Sequence, residues 1–435
     1  MSGSDYPDME SNSYGLNLRG SKVLPNSGSR SSIQCSPYTL FLESAQGKEV
    51  IDVDGNKLID FNNNYTSLIH GHGHPHVIDA VTRQISKGTA FAFGTEIEIK
   101  LAEMLCERVP GFEQIRFMNS GTEAVMNGIK VARAYTGRAK IAKCENAYHG
   151  SYAAAEVSLA VEPTDLSKGD PISKAYSEGT TQGVLDDVVV IPFNDVENSR
   201  RILNQHGSEL AGILFDPFGA GMGRVPPTQA FIDMLVEIRN KHELLLISDE
   251  VIAFRAGYKG CMDRFGVRAD VTCLGKIIGG GFPVGAVAGS KHIMGVFESQ
   301  DGKAKLPHGG TFNANPVTMS AGYAAMELMT PEAFDTLNQL GESFRSAIRD
   351  VLGQVNIQAD VLGQASVFAI DIKDPIPGST VMKRGALRQL EGVEADLINS
   401  GYFLSGGLHG TVSTVMDDSD IEPFCETLHR VLKKL

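Results

Sequence analysis

Between residues 115 and 290 short apolar runs alternate with stretches of helical periodicity. The runs are 115-IRFMNS, 140-KIAKC, 187-DVVVIPF, 211-AGILFDP, 244-LLLISDE, 271-VTCLGK and 284-VGAVAG. Those in the middle are apolar at nearly every position, the pattern of strands covered by helices on both faces. Between them, 121-GTEAVMNGIKVARAYTG, 195-DVENSRRILNQHG and 229-QAFIDMLVEIRNKH repeat apolar residues at helical spacing. The first two close on glycine, a common C-terminal cap. The pattern predicts an α/β fold with a mostly parallel sheet of about seven strands.

The flanks follow other periods. The segment 48-KEVIDVDGNKLIDF reads as a hairpin turning at Asp54-Gly55. Downstream, 331-PEAFDTLNQLGESFRSAIRDVLG is an amphipathic helix and 365-ASVFAIDI a strand. A variable loop near 374-DPIPGST, a helical stretch from about 379 to 400, a strand pair around 401-GYFLSGGLHGTVSTV and a last helix from Asp418 complete the chain. These segments predict an N-terminal arm and part of a small domain over 1–75, a large domain over 76–325, and a C-terminal small domain over 326–435. The two ends together make the smaller α/β domain.

Composition removes several function classes. A formal net charge of −13 argues against a nucleic-acid partner, because a phosphate backbone needs a basic face. No run has the ~18–20 apolar residues that span a bilayer. The polar opening MSGSDYPDMESNSYGLNLRG has no apolar core and reads as a flexible arm that orders against a partner subunit, not as a signal peptide. Six cysteines without a CxxC pair suggest free thiols in a reducing cytosol. His70, His72, His74 and His76 alternate in HGHGHPH, a spacing that admits a metal. The glycines and Pro75 say turn instead, and no carboxylate or cysteine cluster stands nearby, so no metal is expected.

Ligands of open α/β sheets collect at the carboxyl ends of the strands. Polar residues at those exits are few: Asn119-Ser120, Asp216, Asp249-Glu250 and Lys276. The 118-MNSGTEA segment opens a helix, where free amides and hydroxyls suit a phosphate. On this motif alone simple capping by Ser120 or Thr122, with Glu123 in the first turn, is the favoured reading. Asp249 ends LLLIS and needs a cationic partner, either a structural base or a protonated heterocyclic nitrogen. Lys276 raises the same problem with opposite sign, and a lysine that forms an imine escapes it. The glycines after Lys276 are expected to let backbone and a flat ligand approach closely. A phosphate cradle, the 148-YHG turn, a buried carboxylate and a lysine are together the parts that hold pyridoxal phosphate. Lys276 would form the Schiff base, Asp249 would keep the pyridine nitrogen protonated, and Tyr148 would stack on the ring.

The chain resembles the class III (fold type I) pyridoxal-phosphate aminotransferases. Within them it is most similar to the branch of glutamate-1-semialdehyde aminomutase and the β-amino-acid (β-phenylalanine) transaminases. The resemblance runs from about residue 22 to the C-terminus through DVDGNKLIDF, GHGHP, MNSGTEA, YHG, SDEVIAFR, TCLGKIIGGGFPVGA and HGGTFNANP. It implies that Lys276 is the cofactor-bearing lysine and Asp249 the partner of the ring nitrogen. Ser120, Gly121 and Thr122 are implied to bind the phosphate, Tyr148 and Val251 to cover the two ring faces, and His149 and Glu250 to accompany them. Thr311 resembles a threonine that reaches the phosphate of the neighbouring subunit, which implies a homodimer with sites at its interface. Freed Lys276 would carry a proton between substrate and cofactor carbons.

Three departures bear on the net reaction. Where the family often has Glu-Pro followed by Gly-Asn, this chain reads 216-DPFGAGMGRVPP, with Gly221 at the asparagine position. The loop 405-SGGLHGTVST lacks the aminomutase glutamate, and His409 stands where the β-amino-acid enzymes place a carboxylate-handling arginine. His409 either takes that role when protonated or hydrogen-bonds a loop carbonyl. Arg30 in 26-NSGSRSSIQC matches a substrate-carboxylate arginine, against the alternative of a surface arginine in a serine-rich loop, and Tyr65 should line the same pocket. The expectation is a cytoplasmic homodimeric transaminase. It would move an amino group from a small carboxylate-bearing amino donor, such as a β-amino acid, to 2-oxoglutarate or pyruvate. An intramolecular aminomutase is the alternative; a racemase and a non-catalytic cofactor-binding scaffold stand behind it.

Overall fold

The computed structural model describes residues 5–33, 35–162, 164–219, 224–355, 357–372 and 387–435. The chain divides into two compact units, Met1–Pro75 with Thr336–Leu435, and His76–Asp335.

The first unit begins with strands β1 Leu42–Gln46, β2 Glu49–Asp52 and β3 Lys57–Asp60, joined antiparallel, with Gly55 at positive φ in the predicted hairpin turn. The second unit carries the large sheet. Its strands are β4 Gln114–Met118, β5 Lys140–Cys144, β6 Val188–Ile191, β7 Leu210–Phe215, β8 Leu245–Asp249, β9 Val271–Gly275 and β10 Gly285–Gly289, in the order β4-β10-β9-β8-β7-β5-β6. Only β10 runs antiparallel to its neighbours. All seven apolar runs are strands of this one sheet.

Their continuous apolarity has the expected cause. Ile141, Leu245 and Ile247 pack on one face with Val125, Ile129 and Ala132 of the helix Gly121–Thr136. Ala142, Leu244 and Leu246 pack on the other with Leu203 and with Ile232 and Leu235, from the helices Val196–His206 and Gln229–His242. Burying each valine, leucine or isoleucine among them stabilises the fold by roughly 1.5–3 kcal/mol, so both faces must be apolar. The glycine caps divide. Gly137 adopts the left-handed conformation, whereas Gly207 stays right-handed and is small because a Cβ there would lie 2.2 Å from the His242 ring.

A short ribbon of β11 Ser299–Gln300 and β12 Lys303–Ala304 ends the strands of this unit. The first unit then resumes with β13 Ala359–Leu362, β14 Val367–Ile372, β15 Tyr402–Phe403 and β16 His409–Thr411. The last two do not form a pair of strands as expected. β15 joins β3 in parallel and β16 joins β14, and a single bridge links Ser405 to His409. Phe61, Phe344, Phe368 and Phe424 meet in an aromatic core with centroids 4.9–6.2 Å apart. The helix Leu387–Asn399 occupies the later part of the predicted stretch, and the loop near 374-DPIPGST lies outside the described residues.

The N-terminal arm folds onto its own unit. Ser11 caps the helix Asn12–Gly20, Asp54 accepts the amides of Asn12 and Ser13, and buried Tyr6 donates to the Tyr38 carbonyl at 2.7 Å. Three histidines of HGHGHPH have partners in the fold. His72 Nε2 lies 2.7 Å from Asp60, His70 Nδ1 lies 2.8 Å from the Thr414 hydroxyl, and His76 Nε2 lies 2.8 Å from Glu327. Among the described residues no helix is long and apolar enough to cross a membrane.

Candidate active site

Strand register puts two exits of the large sheet level with each other. Gly285 of β10 is paired with Met118 on one side and Gly275 on the other, so the segments starting at Asn119 and Lys276 leave from the same edge. β8 delivers Asp249 to that edge, next to β9.

Ser120 is a helix cap, as its position alone suggested. Its Oγ accepts the Glu123 amide at 3.1 Å, while the Glu123 carboxylate reaches back to the Asn119 amide at 2.6 Å. This leaves the amides of Gly121 and Thr122 at the open positive end of a 16-residue helix. A Cβ on Gly121 would stand 2.7 Å from Val251 Cγ1, so only glycine brings the helix end this close to the residue that follows β8. Thr122 Oγ1 accepts the Ser151 amide at 3.3 Å, tying the YHG turn to the same helix end. Asn119 donates to Asn313 at 2.7 Å, which fixes the GTFNANP loop to the exit of β4. Thr311 stands exposed in that loop.

Asp249 and His149 are both buried, with His149 Nδ1 2.8 Å from Asp249 Oδ2. Burial lowers the His149 pKa, against the pull of Asp249 and with a further push from Lys143. A neutral imidazole facing a carboxylate carries its hydrogen on Nδ1. Asp249 Oδ1 accepts the Val251 amide at 3.1 Å. His149 therefore donates to Asp249 without cancelling its charge.

Lys276 is partly buried and holds a left-handed φ of 49°, an uncommon conformation for a residue with a Cβ. Desolvation brings its amine down to about 8; Asp249 opposes this, and Arg255 and Arg224 reinforce it. A buried layer surrounds these groups. Glu250 accepts the amides of Cys261 at 2.6 Å and Met262 at 3.3 Å, and burial raises its carboxyl to about 7. Arg255 is fully buried, and burial lowers it to about 9.

The glycines after Lys276 have a different use from the one expected. Gly280 has φ 58°, and a Cβ there would meet the Ala321 carbonyl oxygen at 2.3 Å. In return a Cβ on Gly322 would meet the Ile278 carbonyl oxygen at 2.1 Å. Their small size lets the turn after Lys276 press against the helix Pro316–Leu328, which holds the lysine from behind. The close approach at the other strand exit belongs to Gly121, against Val251.

This arrangement fits pyridoxal phosphate. The open helix end suits its phosphate, Asp249 its ring nitrogen, the half-exposed Tyr148 ring and the Val251 side chain its faces, and Lys276 its aldehyde.

Arg30, Tyr65 and His409 belong to the other unit. Arg30 is exposed and places its guanidinium carbon 5.9 Å from the Tyr65 ring centroid, and its Nη1 donates to Asn64 at 3.0 Å. The Tyr65 hydroxyl donates to the Ser32 carbonyl. His409 is half-buried on β16 and exchanges backbone hydrogen bonds with Ser405. Gly221 lies outside the described residues, and Asp216 turns back to accept the Phe218 amide at 2.7 Å.

Sequence reading did not single out Asn64, Lys143 or Asn313. Lys143, fully buried with its Nζ 2.7 Å from the Val157 carbonyl, interrupts the apolar residues Ile141, Ala142 and Cys144, and that interruption was the available signal. Asn313 carried none beyond its place in a motif.

The sequence profile of the family "Aminotransferase class-III" matches residues 31–393. A relative called glutamate-1-semialdehyde 2,1-aminomutase 1, from Staphylococcus carnosus, is 34% identical over 91% of this chain and 92% of its own length. Among solved structures, an omega-transaminase from Sphaerobacter thermophilus superposes with TM-score 0.94 at 43% identity, covering 98% of each chain. A β-phenylalanine aminotransferase from Variovorax paradoxus superposes with TM-score 0.86 at 30% identity, covering 97% of this chain and 94% of its own. With its seven-stranded sheet and a site fitted to pyridoxal phosphate, this chain belongs to the class III aminotransferases, pyridoxal-phosphate enzymes of fold type I.

Proposed function

We propose that the enzyme transfers an amino group from a carboxylate-bearing amine, a β-amino acid or a close analogue, to a keto acid such as 2-oxoglutarate or pyruvate. The observation that carries this reading is the Arg30 guanidinium beside Tyr65, a cation and an apolar ring that together match an aryl or alkyl β-amino acid. The omega-transaminase and β-phenylalanine aminotransferase likenesses support it.

In this reading Lys276 is the anchoring lysine and the proton carrier. An amine with a pKa of about 8 can both accept and return a proton near neutral pH. Asp249 holds its charge toward the ring nitrogen, and His149 orients that carboxylate through Nδ1. Gly121 and Thr122 take the phosphate on their amides, Ser120 keeps the helix end open by capping the deeper Glu123 amide, and Tyr148 and Val251 bracket the ring. Pyridoxal phosphate, when bound, supplies the electron-withdrawing ring that stabilises charge left on the substrate carbon. His409 is assigned to the substrate's polar end.

The assembly in this reading is a cytoplasmic homodimer, with Thr311 serving the neighbour's phosphate. Phe91, Phe93, Ile99 and Phe312 are at least 50% exposed, and apolar side chains of this size are usual at subunit contacts. Free thiols at all six cysteines agree with a reducing compartment. Light scattering at micromolar concentration should give twice the chain mass; a monomer would remove the interface role of Thr311.

Aminomutation remains the second reading because of the relative from Staphylococcus carnosus. A screen of α-, β- and ω-amino donors, with and without each keto acid, separates the two. Product that forms only with an added keto acid supports transamination; isomerised product without one overturns it.

A further inference from the structure

Four consecutive residues without a glycine among them, Asn63, Asn64, Tyr65 and Thr66, have φ of 48°, 47°, 53° and 71°. A run of left-handed residues is costly for L-amino acids and persists only when its surroundings over-determine it. Here they do. Buried Asp60 accepts the amides of Asn62 at 2.8 Å and Asn63 at 3.0 Å on Oδ1, and its Oδ2 lies 2.7 Å from His72 Nε2. Asn62 Oδ1 accepts the Tyr65 amide at 2.6 Å, and Asn63 Nδ2 donates to the Thr411 carbonyl at 2.8 Å.

The product of this effort is the placement of two side chains. Asn64 Nδ2 donates to Ser67 Oγ at 3.1 Å, and Ser67 Oγ donates to the Asn64 carbonyl at 2.9 Å. That fixes which way the Asn64 amide points and turns Oδ1 to Arg30 Nη1, 3.0 Å away. This is the one hydrogen bond the Arg30 side chain makes among the described residues. The rest of the planar fork stays open for a carboxylate, which it can take with two parallel N–H donors.

We propose that Asn64 is a specificity-determining positioning residue, whose amide oxygen holds the Arg30 guanidinium at the Tyr65 ring so that its open edge receives the carboxylate of the amino donor. The left-handed turn is the backbone conformation that sets Asn64 and Tyr65 together for this purpose. The inference rests on the assignment of Arg30 to the substrate carboxylate.

The test uses the full-length holoenzyme with Asn64→Asp, which keeps the shape and tolerates left-handed backbone but sets an anion against Arg30. KM for 3-amino-3-phenylpropanoate should rise by about tenfold with kcat nearly unchanged, as a loss of binding shared equally by ground and transition states requires. KM for 1-phenylethylamine, which has no carboxylate, should stay the same. The inhibition constant of 3-phenylpropanoate, a carboxylate that cannot react, should rise in parallel. If Asn64→Asp does not fold by thermal melting, Asn64→Gly replaces it, since glycine accepts the backbone and removes the bond; a severalfold rise confined to carboxylate ligands is expected. Unchanged constants, or equal changes for both amines, overturn the proposal. Arg30→Ala separates the two layers. If it leaves the inhibition constant unchanged, the assignment of Arg30 itself fails. If it raises that constant while the Asn64 variants do not, only the role of Asn64 fails.

Discussion

The two units hold their chemistry-bearing residues by opposite means. In the large sheet Asp249 is the last residue of a strand, Lys276 the first after one, and Gly121 the first of a long helix. Each is fixed by backbone hydrogen bonds and by a two-sided apolar core. In the other unit Arg30 and Tyr65 stand in irregular segments, held by asparagine and aspartate side chains around a left-handed turn. Regular elements tolerate little change, because a shifted strand moves every side chain on it. A side-chain-held turn can be retuned one residue at a time. In the proposed function the chemistry sits on the sheet, and recognition of the donor is assigned to the turn.

Four experiments press on this contrast. Lys276→Ala should lower kcat by about 10,000-fold, since the proposed function makes this amine both the anchor and the proton carrier. Steady-state rates at saturating donor measure it, and retained turnover would move the chemistry off the strand exit. Gly121→Ala should weaken pyridoxal-phosphate affinity by about tenfold or more, because the new Cβ overpacks against Val251. Adding Val251→Ala should recover part of the loss, as coupled neighbours do; fluorescence titration of the apoprotein reads both.

A smaller effect is expected on stability. Lys276 has its pKa depressed from 10.5 to about 8, so its contribution to stability is fully present above the unfolded value of 10.5 and is lost as pH falls through about 8. Lys276→Met apoprotein should thus be more stable than the parent at pH 7 by about 1–2 kcal/mol, reduced from the full shift because Lys276 keeps some contact with solvent. The difference should vanish above pH 10.5 in denaturant melts. Smallest of all, Tyr65→Phe removes only the hydroxyl bond to Ser32 and should raise donor KM by about threefold, the scale of one exposed hydrogen bond. A much larger change would mean that the turn is more tightly coupled than its exposure suggests.

The reading of the glycines shows where pattern reasoning stopped. The run at 279–281 suggested clearance for a ligand, and the structure uses Gly280 to seat the lysine turn against a helix that is distant in sequence. Gly121, inconspicuous inside MNSGTEA, lets its helix end approach Val251. Both need a small residue, and which partner crowds each is a three-dimensional fact. The HGHGHPH segment is similar: its alternation was legible, but that Asp60 binds His72 and so supports the Asn62–Asn63 turn was not.

By itself the sequence determined the seven strands, because burial on two faces demands continuous apolarity, and it placed Asp249 and Lys276 at strand exits, where a charge ending an apolar run needs a chemical reason. Ser120 as a cap was equally readable, since capping is local. Only the tertiary structure decided that Gly121 meets Val251, that His149 backs Asp249, and that Asn64 holds Arg30. These are contacts between segments up to 130 residues apart (121 to 251), and no local spacing encodes them. They arise when strand order and helix packing bring separate exits to one edge, and when buried carboxylates hold a strained turn in place.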